Sequence, residues 1–293
     1  MSATTTRAEP LALPEHHRTR PTILTTLAAN TRAARAILRR DWTVFASYRT
    51  HMITQLGGSL FTLAMMRFVS QLIHVRQFPT SNSYFGYVVV GVTILHILTS
   101  TLSTPAGSIR QELIAGTFER MILSPIGPII GILSTLIFPL VMALVMSTAT
   151  LALAGGLFGM PLHWATAPLA LPVAILGALA FVPFGIAIAA ATVAFKQAPQ
   201  ATNFIIAGVS LLAGCYFPIS YLPHWIRWTA NVQPFTPSVE LMRNLLVGTP
   251  LTHPAWLDLA IITGFATALL PLSIWTLATA IQWGRKRGTI TEY

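Results

Sequence analysis

Acidic side chains are scarce in this chain, and where they are missing matters more than their number. Only eight Asp and Glu occur among 293 residues, and none lies between Glu119 and Glu240. Carriers that couple to protons or sodium place acidic residues or histidines inside the bilayer, so a long apolar stretch here offers no acidic coupling site. Charge of either sign is sparse: 9% of residues are Asp, Glu, Lys or Arg, against about 25% in soluble domains. With 54% hydrophobic residues and a mean hydropathy of +0.66, the chain has too little polar surface to stay in water as a monomer. A single cysteine, Cys215, excludes an intramolecular disulfide, and no Cys/His cluster has metal-ligand spacing. Cys215 sits in an apolar stretch and reads as a small buried hydrophobe. The doublet His16-His17 reads as solvated. The first 50 residues lack an apolar core and are rich in arginine, so no cleavable signal peptide is expected.

Nucleotide-hydrolysing machinery is also missing. A phosphate-binding loop needs a Gly-rich turn ending in Lys-Ser/Thr. Here Lys196 is followed by Gln197 and Lys286 by Arg287. There is no His-Glu-x-x-His zinc helix and no Gly-x-Ser-x-Gly nucleophile turn. The chain is therefore read as non-enzymatic, with no catalytic, cofactor or metal residues of its own.

What is present is arginine and long apolar runs. The net charge is +10, yet only Lys196 and Lys286 are lysines, and the arginines cluster at the ends of apolar segments. That pattern sets membrane topology rather than tracking phosphates, and nucleic acid is excluded as a partner. A bilayer core about 30 Å thick needs roughly 20 helical residues. Six segments qualify, near residues 52–74, 84–105, 126–154, 168–194, 200–219 and 256–282. Pro139 in the third and Pro172 and Pro183 in the fourth are expected to bend their helices. Gly177, Ala178, Gly185, Ala189 and Ala190 would allow close helix packing.

The expected fold is all-α and polytopic. Residues 1–26 form a disordered cytoplasmic tail, 27–50 an interfacial amphipathic helix, and 51–293 a six-span domain. In the 27–50 helix, Leu27, Ala34, Ile37, Leu38, Trp42 and Phe45 recur at helical spacing among Arg32, Arg35, Arg39, Arg40 and Asp41. A helix packed on another subunit is the alternative. With both termini inside, fourteen basic residues face the cytoplasm. They are Arg7, Arg18, Arg20, Arg32, Arg35, Arg39, Arg40, Arg49, Arg110, Arg120, Lys196, Arg285, Lys286 and Arg287; the outside has only Arg76, Arg227 and Arg243. Arg67 and His96 are the main ionisable residues within spans. Snorkelling to the outer surface accounts for Arg67, and a hydrogen bond to a neighbouring helix for His96.

Two connecting segments stand out. Between the second and third spans, Ile109, Leu113 and Phe118 can form an apolar side beside Arg110, Glu112, Glu119 and Arg120. A helix there suits docking of a cytoplasmic protein. Glu112 and Glu119 would face similarly if that helix were continuous, and Gly116 would either admit a partner's backbone or break the helix. Between the fifth and sixth spans, Pro218, Pro223, Pro234, Pro237 and Pro250 interrupt a sequence still rich in Tyr, Trp and Leu. Two short helices dipping into the outer leaflet are expected, with Trp225 and Trp228 at the interface and Glu240 paired with Arg243.

The stretch Glu112-x-x-x-Gly116-Thr117-Phe118-Glu119-Arg120, ending in Leu123-Ser124-Pro125, resembles the E…GT-x-E…SP loop of type-2 ABC exporter permeases. The run from Phe217-Pro218 through Leu222-Pro223, then Gln233-Pro234 and Arg243, is similar to that family's outer re-entrant segment, with Gln233 where Asn is commoner. The resemblance covers residues from about 30 to the end. It implies that Glu112, Gly116, Thr117, Phe118, Glu119 and Arg120 form an ATPase-coupling loop, and that Pro218, Pro223, Trp225, Pro234, Glu240 and Arg243 shape the outer segment. It further implies a multi-pass subunit of the plasma (inner) membrane, dimerised with a second copy or a paralogue. Cytoplasmic ABC ATPase subunits would carry ATP and Mg, and a hydrophobic or amphipathic substrate of the drug, lipid or glycan class would move outward. A small lipophilic compound or a lipid is preferred. A membrane scaffold or sensor without transport is the alternative, followed by a secondary carrier.

Overall fold

The computed structural model describes residues 31, 35–36, 38–43, 49–72, 78, 80–117, 128–195 and 198–287. The expected tail at 1–26 lies outside them. Eight α-helices follow residue 48 among the described residues: α1 Arg49–Leu72, α2 Ser81–Ile114, α3 Pro128–Phe158, α4 Ala167–Phe195, α5 Ala198–Leu212, α6 His224–Val232, α7 Phe235–Val247 and α8 Ala255–Arg287. No strand occurs among the described residues. Of the expected 27–50 helix, residues 31, 35–36 and 38–43 are helical, and Trp42 meets Phe138 of α3 edge-on with ring centroids 6.5 Å apart.

Among the described residues, four helices are long and apolar enough to cross a membrane: Ser81–Ile114, Ile129–Phe158, Ala167–Ala194 and Ala255–Gly284. The other two expected spans fall short in different ways. α1 has 24 residues, but Gln55, Ser59, Arg67 and Gln71 make it more polar. α5 is apolar but only 15 residues long, because the chain turns at Gly214, whose φ of +70° lies in the left-handed region.

α2 is the centre of the packing. Phe85, Val90, Leu98, Leu102 and Ile109 along it are all under 2% exposed. Thr80 begins it: an extended residue whose Oγ1 accepts from the Ser83 amide at 3.2 Å. The second span was expected near residues 84–105. Instead the helix continues nine residues further, to Ile114, with Pro105 buried inside it. A proline removes the donor that would serve the carbonyl four residues earlier, here Thr101. α4 reaches this spot through Gly185, where a Cβ would lie 2.4 Å from that Thr101 oxygen and 3.1 Å from the Pro105 ring. Only a glycine lets α4 come so close, and a Cα–H can then face the freed carbonyl. Ala178, Ala189 and Ala190 are buried too, so the small residues of α4 form its packing face as expected.

Candidate functional site

The most elaborate polar arrangement among the described residues surrounds Arg243 of α7, which is 3% exposed. Its Nε donates to the Tyr87 carbonyl at 3.0 Å, and its Nη2 to the carbonyls of Gly214 and Cys215 at 2.9 and 3.0 Å. The guanidinium carbon lies 3.4 Å from the Tyr87 ring centroid, a contact that adds cation–π attraction in a dry site. The acceptors follow from how α5 ends. The amides of Gly214 and Cys215 turn back to the carbonyls of Leu211 and Ser210 at 3.3 and 3.2 Å. That turn satisfies the last helical carbonyls, and the carbonyls of Gly214 and Cys215, which follow it, find no donor in the helix while sitting at the negative end of its dipole. A cation inserted there satisfies them and loses less from desolvation than it would against apolar walls.

Neighbouring tyrosines close the same knot. Tyr87 Oη donates to the Gly214 carbonyl at 3.1 Å and Tyr84 Oη to that of Tyr216 at 3.1 Å. Gly91, one turn beyond Tyr87, provides the space: a Cβ there would stand 2.4 Å from the Cys215 oxygen and 2.7 Å from Arg243 Nη2. Cys215 itself is fully buried, matching its reading as a small hydrophobe.

The expected pairing of Glu240 with Arg243 is not formed. Arg243 shares the buried face of α7 with Val239, Met242 and Leu246, whereas Glu240 is turned to the following loop and accepts from Thr252 Oγ1 at 3.0 Å. A spacing of three permits an ion pair on a solvated face, but the backbone carbonyls inside the fold capture the guanidinium first. The prolines act as helix starters. Pro218 precedes a short 3-10 turn at Ile219–Tyr221, Pro223 precedes α6 and Pro234 precedes α7. Arg227 braces the turn by donating to the carbonyls of Ser220 and Leu222 at 2.7 and 3.0 Å. Trp225 and Trp228 are 74% and 62% exposed. Tyr87 and Gly91 were not singled out from sequence. Their signal was a Tyr and a Gly one helical turn apart in an otherwise aliphatic run.

At the opposite end of α2 the expected coupling residues divide. Phe118, Glu119 and Arg120 lie outside the described residues. Glu112 stands in the last turn of α2, and its carboxylate accepts from Thr117 Oγ1. The helix that carries Glu112 stops at Ile114, and Gly116 takes a φ of +67°. Of the apolar side expected to meet a partner, Ile109 and Leu113 instead pack inward with Ile132, Ile186 and Leu277. Ile114 points out, 63% exposed.

The two ionisable residues singled out within spans, Arg67 and His96, differ. Arg67 donates to Asn82 Oδ1 and lies 5.5 Å from the centre of the Phe85 ring. His96 makes no hydrogen bond to a neighbouring helix among the described residues and instead faces a cavity between α1, α2 and α3.

Comparison with known proteins agrees with this architecture. The family model for the ABC-2 type transporter matches residues 32–247, from before α1 to the end of α7. Nodulation protein J of Rhizobium leguminosarum bv. trifolii is 30% identical over 114 residues, 37% of this chain and 44% of that protein. Nodulation protein J of Rhizobium meliloti (strain 1021) is 26% identical over 91 residues, 31% of this chain and 35% of that protein. The match to these curated relatives thus spans less than half of their length.

Proposed function

We propose that this chain, which belongs to the ABC-2 type transporter family, is the membrane-spanning permease subunit of an exporter powered by a separate ATPase. The observation that carries the proposal is the length of α2. Its 34 residues make a rod of about 51 Å, against a hydrocarbon core of about 30 Å. One end must stand clear of the lipid, and the end bearing Arg110, Gln111, Glu112 and the exposed Ile114 suits the cytoplasm. There it is a preformed projection that an ATPase groove can grip, with Gly116, Thr117, Phe118, Glu119 and Arg120 continuing the contact. ATP and Mg belong to that partner.

In this reading α1 and α5 complete six spans, and both termini are cytoplasmic, as the arginine distribution requires. The Arg243 knot closes the outer side, where α6 and α7 form a re-entrant cap with Trp225 and Trp228 at the interface. Two permeases, identical or paralogous, face each other, and a hydrophobic or amphipathic substrate leaves outward. Domain boundaries at 26 and 50 fit the same scheme.

The test is co-purification of a P-loop ATPase with the tagged chain, followed by ATP-dependent substrate movement in reconstituted vesicles. Replacing Glu112 and Glu119 together with Ala should leave membrane insertion intact while lowering ATPase retention or uncoupling hydrolysis from transport. Retention and transport equal to the wild type at equal expression would remove this loop from the mechanism. Transport persisting without any ATPase would overturn the exporter reading.

A further inference from the structure

The cavity beside His96 has a chemistry that the family assignment does not specify. It measures about 270 Å3 and lies between α1, α2 and α3. Ligand pockets for whole drug-sized molecules run about 300–1,000 Å3, so this one suits a headgroup rather than an entire amphiphile. None of its lining residues is Asp, Glu, Lys or Arg. A charged group placed there would lose its hydration and find no counter-charge.

Its polar atoms are unevenly committed. Ser59, Thr62 and Thr150 have each spent their hydroxyl proton on a carbonyl of their own helix, to Gln55, Gly58 and Met146 at 3.1, 2.9 and 2.8 Å. Their oxygens keep lone pairs that can only accept. The side chains of Gln55 and His96 have no hydrogen-bond partner among the described residues. Their amide oxygen and unprotonated ring nitrogen add two further acceptors, while the Gln55 amide group and the His96 ring N–H supply three donor hydrogens. Five accepting atoms thus face three donor hydrogens, and the complement is a ligand that gives more hydrogen bonds than it takes.

We propose that this cavity binds the headgroup of an uncharged amphiphile rich in hydrogen-bond donors, hydroxyl or amide N–H. The inference rests on the exporter reading and names the chemistry of its substrate. Glycines on α1 provide the test. A Cβ at Gly57 or Gly58 would meet nothing within 4 Å, yet only Gly58 lines the cavity. Gly58→Leu puts an isobutyl group on the cavity wall from a Cβ that meets no other atom within 4 Å, and Gly57→Leu, off the cavity, is its matched control.

The chain is placed in phosphatidylcholine nanodiscs and photolabelled with an octyl glucoside carrying a diazirine near its head. The label should fall on α1, α2 and α3 around the cavity. Excess octyl glucoside or octanamide should compete, and octyltrimethylammonium should not. Gly58→Leu should lower labelling at least about tenfold, since a misfit of even one methylene in a pocket is worth about 10–200-fold, while Gly57→Leu leaves it unchanged. Equal competition by the ammonium compound would overturn the uncharged class. Competition by only one of the neutral compounds would decide between hydroxyl and amide heads. Labelling elsewhere in the wild type, or unaffected by a folded Gly58→Leu, would overturn the site, and the wild-type map gives that answer even if the variant fails to insert. No ATPase is present, so this result is independent of whether the chain co-purifies with one.

Discussion

The two ends of α2 solve the same problem, unsatisfied polar groups near a helix end, in opposite ways. At the Tyr87 end, α2, α7 and the turn after α5 are joined by bonds between residues 156, 29 and 28 positions apart, all buried. At the Glu112 end, closure is local: the Thr117 amide donates to the Glu112 carbonyl at 3.0 Å and its hydroxyl to the Glu112 carboxylate. The first arrangement can change only if three elements move together. The second can be rebuilt by altering a few dihedrals. On the proposed reading, a permease held on one side and pulled from the other would use this asymmetry.

The comparison breaks most completely at Arg243. Arg243→Met keeps the bulk but strands the Cys215 carbonyl, an unmet buried acceptor costing about 1–3 kcal/mol, and leaves the Gly214 carbonyl with the Tyr87 hydroxyl alone. The variant should melt well below the wild type in detergent, read by size-exclusion after heating. Arg243→Lys should recover only part, since a lysine cannot reproduce the planar fork. An unchanged melting profile in both would mean that the knot does not hold the fold.

Next comes one substitution made at both ends. Gly91→Ala forces a methyl toward the Cys215 oxygen and should cost about 1–3 kcal/mol, the usual range for overpacking. Gly116→Ala puts a Cβ into a left-handed residue, about 1–2 kcal/mol of strain, but that strain can be released by local unwinding. The global melting temperature should therefore fall for Gly91→Ala and barely move for Gly116→Ala. The reverse order would invert the contrast between tight and adjustable ends.

Tyr87→Phe removes the bond to Gly214 but keeps the ring beneath Arg243, so a loss of about 1 kcal/mol is expected in the same assay. The smallest effect belongs to Thr117→Val. It should change stability by less than about 0.5 kcal/mol, as surface changes do, while speeding hydrogen exchange at the amides of residues 115–117. Protection equal to the wild type there would show that the hydroxyl does not secure the turn.

Much of this was legible from residues alone. Length and apolarity identified α3, α4 and α8 to within a few residues, because a continuous hydrophobic run of that size has one stable solution in lipid. Pro218, Pro223 and Pro234, read from sequence as interruptions of an apolar run, stand before helical turns, because a ring that fixes φ and lacks a donor is tolerated there. α2 runs on past the expected span of 84–105 because a proline breaks a helix only when nothing else attends to the freed carbonyl, and Gly185, which meets that carbonyl, lies 80 positions from Pro105. The partner of Arg243 was misjudged for the same reason: Glu240 is near in sequence, whereas Tyr87 and Gly214 are near only after folding. Backbone carbonyls are present at every residue, so no pattern of side chains advertises which will serve as acceptors.

The contact between Pro105 and Gly185 also sets a mechanical ratio. It divides α2 unequally, with Glu112 about 10 Å away on one side and Tyr87 about 27 Å away on the other, at 1.5 Å per residue. A rod pivoting there would move its long arm about 2.6 times as far as its short one. Because the Arg243 knot ties that long arm to α7 and to the turn after α5, a push at the short arm would have to carry those elements with it. The glycine that lets two helices touch thus decides how much of α2 stands beyond the contact on either side.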